Sequence, residues 1–150
     1  MSDTPISMAA VLAMLTQSAE PMIEPIAVSC VGLTERRTVL GNGETDTVTE
    51  PQTRTYILDE ERNDVAIYHQ DFESRVYLCS GARVSCHFDF YPGMIFLRKQ
   101  SVGPDSHVMY IDRKTGAVFD MSTSEFGGVT FDGICTKIEI PDYDPSQNAF

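Results

Sequence analysis

With 150 residues, 42% of them apolar and 22% charged, this chain has the length and makeup of one folded domain and is neither disordered nor membrane-spanning in composition. Twenty-two acidic residues against eleven basic ones leave a net charge of −11. Such a charge repels phosphate backbones, and the basic residues are dispersed along the chain, so no nucleic acid is expected as a partner. The acidic groups read as a solvated surface, or as a complement to a basic protein.

Residues 1–25 carry two readings. "MAAVLAML" followed by small residues has the outline of a secretory signal, but the preceding "MSDTPIS" is acidic where a signal carries Lys or Arg, and a cut after Ala19 would place Gln17 at the −3 position. The alternative is a short helix with Thr4 as N-cap, Pro5 in the first turn and a stop near Pro21. The apolar run is too short to cross a bilayer, so no membrane span is expected. A cleaved segment implies a periplasmic or secreted protein; a retained helix implies a cytoplasmic one.

From Pro25 the pattern turns to alternation and punctuation, which predicts an all-β domain over 26–141 and a polar acidic tail over 142–150. "PIAVSCVGL" is the first strand, and the polar "GNGETDTVTEP" reads as a loop. "TRTYIL" and "DVAIYH" are strands around the turn "DEERN". "SRVYLC" and "CHFDFY" follow, the second with Cys86, Phe88 and Phe90 on one face and His87, Asp89 and Tyr91 on the other. "YPGM" is a turn into "MIFLRK". "HVMYID" and "AVFDMS" form a hairpin in which Asp112 holds the turn backbone and Gly116 takes the left-handed position. "GVTFDGICTKIEI" closes the sheet. About nine strands with short connections predict an antiparallel meander closed as a small barrel or folded as a sandwich, with Phe88, Phe90, Phe119 and Phe131 inside.

The four cysteines, Cys30, Cys79, Cys86 and Cys135, match neither the C-x₂₋₄-C pairs of a zinc site nor the C-x-x-C of a redox helix. Strand-borne cysteines flanking a six-residue connection are placed to staple a hairpin, which predicts Cys79–Cys86. Cys30 in the first strand and Cys135 in the last would then join the strands that meet when a barrel closes. Four reduced, buried thiols in a cytoplasmic protein remain the other reading.

"SCVG" near the start, with "YIDRKTGAV" and "FDGICTKI" near the end, resembles a loose group of small uncharacterised exported bacterial β-barrel proteins. These share an early Cys-x-Gly, a late IDRxTG hairpin and a closing FxGxC. The resemblance covers the two ends of the chain and not the middle. It implies a small barrel with a first-to-last-strand disulfide, and no activity.

Chemistry-bearing motifs are few. Two H-x-D pairs, His69 with Asp71 and His87 with Asp89, each put an imidazole and a carboxylate on one strand face, the one arrangement here that a zinc or copper ion could use. His107 has no such neighbour. No phosphate-binding, nucleophile-elbow or zinc-protease motif is present, so neither cofactor nor catalytic residue is assigned. The expectation is a non-enzymatic exported binding or inhibitor-type domain that engages a protein. The alternative is a barrel that holds a small apolar ligand. A cavity would favour the second, and a filled core with an exposed aromatic patch the first.

Overall fold

The computed structural model describes residues 24–81 and 84–141, so the signal-like or helical reading of 1–23 and the tail at 142–150 lie outside the described residues. Among the described residues nine strands form one antiparallel sheet curled into a half-barrel. They are β1 (Ile26–Val39), β2 (Thr45–Asp59), β3 (Asp64–His69), β4 (Ser74–Tyr77), β5 (Cys86–Phe90), β6 (Met94–Lys99), β7 (Ser106–Asp112), β8 (Ala117–Ser124) and β9 (Gly127–Ile138). Their order is β4-β3-β2-β1-β9-β8-β7-β6-β5. It is a single sheet and not a sandwich.

The first and last strands run side by side in the middle of this order, in a ladder from Ala27↔Ile138 to Thr38↔Gly127. Cys30 lies opposite Cys135 and is bonded to it, and Gly32 lies opposite Gly133. A Cβ on Gly32 would lie 2.0 Å from the Asp132 carbonyl oxygen, so only glycine lets the two strands cross this closely. The Cys-x-Gly and Gly-x-Cys stretches are therefore one cross-strand unit.

The segment expected as a loop at 41–51 is mostly strand: β2 begins at Thr45 and pairs with β1 all the way to Val39. Only Leu40–Glu44 turns, closed by the Leu40 N–H to Glu44 C=O bond. Alternating threonines at 45, 47 and 49 suit a strand, but lacking an apolar face they carry no core signal. The hairpin at Asp112 folds as expected. Asp112 Oδ1 accepts the Lys114 and Thr115 amides at 2.8 and 3.1 Å, bonds that hold its carboxyl below the usual range, and Gly116 has φ +80°.

Every pair of successive strands is laddered except β4 and β5, which corrects the expected 79–86 hairpin. β4 is only four residues long, and Cys79 lies beyond it. The two strands are the opposite edges of the sheet, and the Cys79–Cys86 disulfide holds them where the ladder is missing. One backbone bond also crosses this seam, and a buried carboxylate fixes Cys79 on its own side of it. Phe88 donates its N–H to the Asn63 carbonyl at 2.7 Å. The Asp64 carboxylate, buried at the start of β3, accepts the amides of Val65 at 2.8 Å and Cys79 at 3.0 Å. Burial pushes the Asp64 carboxyl above its usual value in spite of those bonds.

The concave face holds the main core, with Val28, Cys30, Tyr56, Phe88, Ile95 and Phe131 among its fully or nearly fully buried side chains. On the convex face a smaller apolar cluster of Ala27, Ile57 and Ala66 is buried under Tyr68, Tyr77 and Ile138. Phe88 and Phe131 lie inside as expected and Phe90 packs against them, but Phe119 does not. It alternates with Val118 and Asp120, which take the buried slots of β8, and so it faces outward.

The disulfides span sequence separations of 105 and 7 residues. On loop entropy, replacing Cys30 and Cys135 by Ser lowers stability by about 5 kcal/mol, and replacing Cys79 and Cys86 by about 2.5 kcal/mol. Urea denaturation measures both. Hydrogen exchange in the second variant should rise at β4 and β5 alone; equal losses of stability, or a rise across the whole sheet, would contradict this division of labour.

Candidate functional site

Two features are built from residue types that sequence patterns place elsewhere. The first is a charged network on the concave face. Arg54 and Tyr56 occupy inward positions of β2, opposite Cys30 and Val28, while Asp120 and His107 occupy inward positions of β8 and β7. The Asp120 carboxylate, 6% exposed, is the hub. Its Oδ2 accepts the Tyr56 hydroxyl at 2.9 Å and Arg54 Nη1 at 3.1 Å, and its Oδ1 lies 2.7 Å from His107 Nε2.

Arg54 stacks over the Phe131 ring at 4.5 Å and gives its Nε–H to Gln52, which also takes the Thr34 hydroxyl. Burial, reinforced by the adjacent Asp120 carboxylate, pushes the Tyr56 phenol above its ordinary value and keeps it a hydrogen-bond donor. The network spans the half-barrel from β2 to β7 and β8. It fills the space between the strands with satisfied polar groups.

The second feature is the bare part of the convex face. Val31, Ile134 and Leu33 on β1 and β9 are 64%, 56% and 53% exposed, and Val108 and Tyr110 on β7 are also exposed. Register makes these neighbours: Val31 faces Ile134, Leu33 faces Asp132, Asp132 faces Phe119, Phe119 faces Tyr110, and Tyr110 faces Phe96. The Tyr110 and Phe119 rings stack at 5.4 Å, and Tyr91 meets Phe96 edge-on at 5.5 Å. A row of apolar side chains on β1, β8, β7 and β6 thus crosses the face, with the Asp132 carboxylate at its β9 position and Val31 and Ile134 beside it.

The two H-x-D pairs are placed differently. His69 ends β3 while Asp71 lies in the 3₁₀ turn Gln70–Phe72. His87 Nε2 lies 3.1 Å from Asp89 Oδ1, and Arg98 Nε holds the other oxygen at 2.6 Å, which lowers the Asp89 pKa. Among the described residues no three His, Cys, Asp or Glu side chains gather as metal ligands. His69 and Asp71 line an open surface cleft of about 900 Å³ beside the part of β2 that β3 leaves unpaired, with Gln52, Arg54 and Phe72 in its walls. His107 borders a smaller one of about 410 Å³ with Lys99, Ser106 and Ser122.

His107 does have a partner, then, and it is Asp120. The signal for the network was parity: Arg54 shares a face with Tyr56, and Asp120 shares one with Val118, so each strand carries one opposite charge on its apolar side. Two such misplaced charges in one small sheet imply that they meet. No protein-family model matches this chain, and comparison with curated proteins and with solved structures returns no significant match.

Removing the hub leaves the Arg54 guanidinium and two donors unanswered in a largely buried site. Asp120→Asn should therefore cost about 3 kcal/mol, whereas Tyr56→Phe should cost about 1 kcal/mol. Urea denaturation of the oxidised variants checks the order. A cost for Asp120→Asn no greater than for Tyr56→Phe would show that the carboxylate is not the hub.

Proposed function

We propose that this chain is a binding domain of an oxidising compartment, periplasmic or secreted, which engages a basic partner protein through the bare convex face. The observation that carries the reading is the cross-strand group of exposed Val31, Leu33, Ile134 and Tyr110 on the face that also carries the Phe119 ring and Asp132. Exposed apolar side chains gathered on one sheet face with aromatic rings among them are the usual makeup of a protein-binding core.

A net charge of −11 disfavours a second copy of the same chain and favours a basic partner. Two disulfides fit an oxidising environment, and among the described residues no helix is long and apolar enough to cross a membrane. The resemblance to small exported bacterial proteins agrees with this location. Support for a protein partner over a small apolar ligand comes from the interior, where Tyr56, Phe88, Phe131 and the Arg54–Asp120 pair hold the positions that a barrel ligand would need.

Selection from a random peptide display library against the oxidised protein tests this. Selected peptides should lose at least about tenfold in affinity for a Val31→Asp, Ile134→Asp variant, as when central interface anchors are removed. They should bind a His69→Ala variant unchanged. Peptides that survive the first substitution and fail with the second would move the site to the cleft beside β2.

A further inference from the structure

The β8–β9 ladder sets the dipeptide Phe119-Asp120 against Phe131-Asp132, so that Asp120 faces Phe131 and Phe119 faces Asp132. Alternation sends these two Phe/Asp pairs to opposite faces of the sheet. A third pair, Phe96 opposite Asp89, lies on β6 and β5.

Two of the three are completed by an arginine in the same way. On the concave face Arg54 lies over the Phe131 ring at 4.5 Å and reaches Asp120 at 3.1 Å. On the convex face Arg98 lies over the Phe96 ring at 4.8 Å and reaches Asp89 at 2.6 Å. A related arrangement joins Arg62 to the Tyr77 ring at 4.2 Å and to Asp59 at 4.0 Å. Ring and carboxylate together suit a guanidinium because its flat face stacks on the ring while its edge hydrogen-bonds the carboxylate.

The remaining pair, Phe119 with Asp132, has no such cation. Among the described residues Asp132, which is exposed, has no hydrogen-bond or ion-pair partner. Its neighbours and those of Phe119 on the same face, namely Leu33, Thr130, Ile134, Tyr110, Ala117 and Met121, carry no charge. The Tyr110 ring stacks against Phe119 with centroids 5.4 Å apart.

We propose that the Phe119/Asp132 pair is the receptor for an arginine side chain of the partner protein, completing in trans the unit that Arg54 and Arg98 complete in cis. The proposal rests on the convex face being the docking surface and names what that surface recognises. Arginine is preferred to lysine because an ammonium neither stacks flat nor binds a carboxylate through two parallel bonds. Apolar side chains flanking that arginine would lie on Leu33, Val31 and Ile134.

The test is a titration of the oxidised, nitrogen-15-labelled protein with N-acetyl-argininamide, followed by amide shifts. Saturable shifts should centre on Leu33, Tyr110, Phe119 and Asp132. Asp132→Asn and Phe119→Leu, both at the surface, should each weaken binding at least about fivefold, and N-acetyl-lysinamide should bind at least about threefold more weakly. Arg98→Ala vacates the Phe96/Asp89 pair and should add a second set of shifted amides there. Shifts scattered over the acidic surface, equal for both amino acids, or unchanged by Asp132→Asn would overturn the proposal. If library peptides need Val31 and Ile134 but contain no required arginine, this proposal fails while the binding surface stands.

Discussion

A buried carboxylate sets the two faces of this sheet. Asp120 points inward because Arg54, Tyr56 and His107 converge on it, and a strand that buries Asp120 must also bury Val118 and turn Phe119 to the outside. The same alternation on β9 puts Phe131 in and Asp132 out. A shift of β8 by one residue would exchange the faces, place Phe119 in the core and leave three donors without an acceptor. The charged interior and the apolar exterior are thus two consequences of one register.

Closure of the sheet depends on a different bond. The meander is laddered from β4 round to β5 through the neighbouring first and last strands, and it lacks only the β4–β5 pairing. At that gap the short β4 provides too little edge for a ladder. A disulfide and the Phe88 N–H to Asn63 C=O bond hold it instead, with the Asp64 carboxylate fixing Cys79 on the β4 side. The buried Cys30–Cys135 bridge reinforces a junction that hydrogen bonds already make, whereas Cys79–Cys86 stands in for bonds that are absent.

Much of the fold was legible in the sequence. Turn chemistry at Asp112 and Gly116, alternation in "CHFDFY" and the position of Cys30 and Cys135 in the first and last strands all point to the meander that forms. Two things were hidden. The β1–β2 extension at 45–51 pairs through threonines that show no apolar periodicity, so it resembles a loop. The orientation of β8 runs against the rule that phenylalanine is buried and aspartate is not, and that rule fails because the partners that justify burying Asp120 lie 66, 64 and 13 residues away in the chain. A single strand's pattern cannot show them. Every convex-face residue was visible as a residue, but with Phe119 assigned to the core the row had no centre.

The most direct measurement is therefore the solvent exposure of the Phe119 ring. Fluorine-labelled phenylalanine in the oxidised protein, with a soluble paramagnetic probe, compares it with Phe131 and Phe88. Strong relaxation of the Phe119 signal and protection of the other two are the expected result. A protected Phe119 would contradict the orientation of β8, and with it the Asp120 hub and the binding face together.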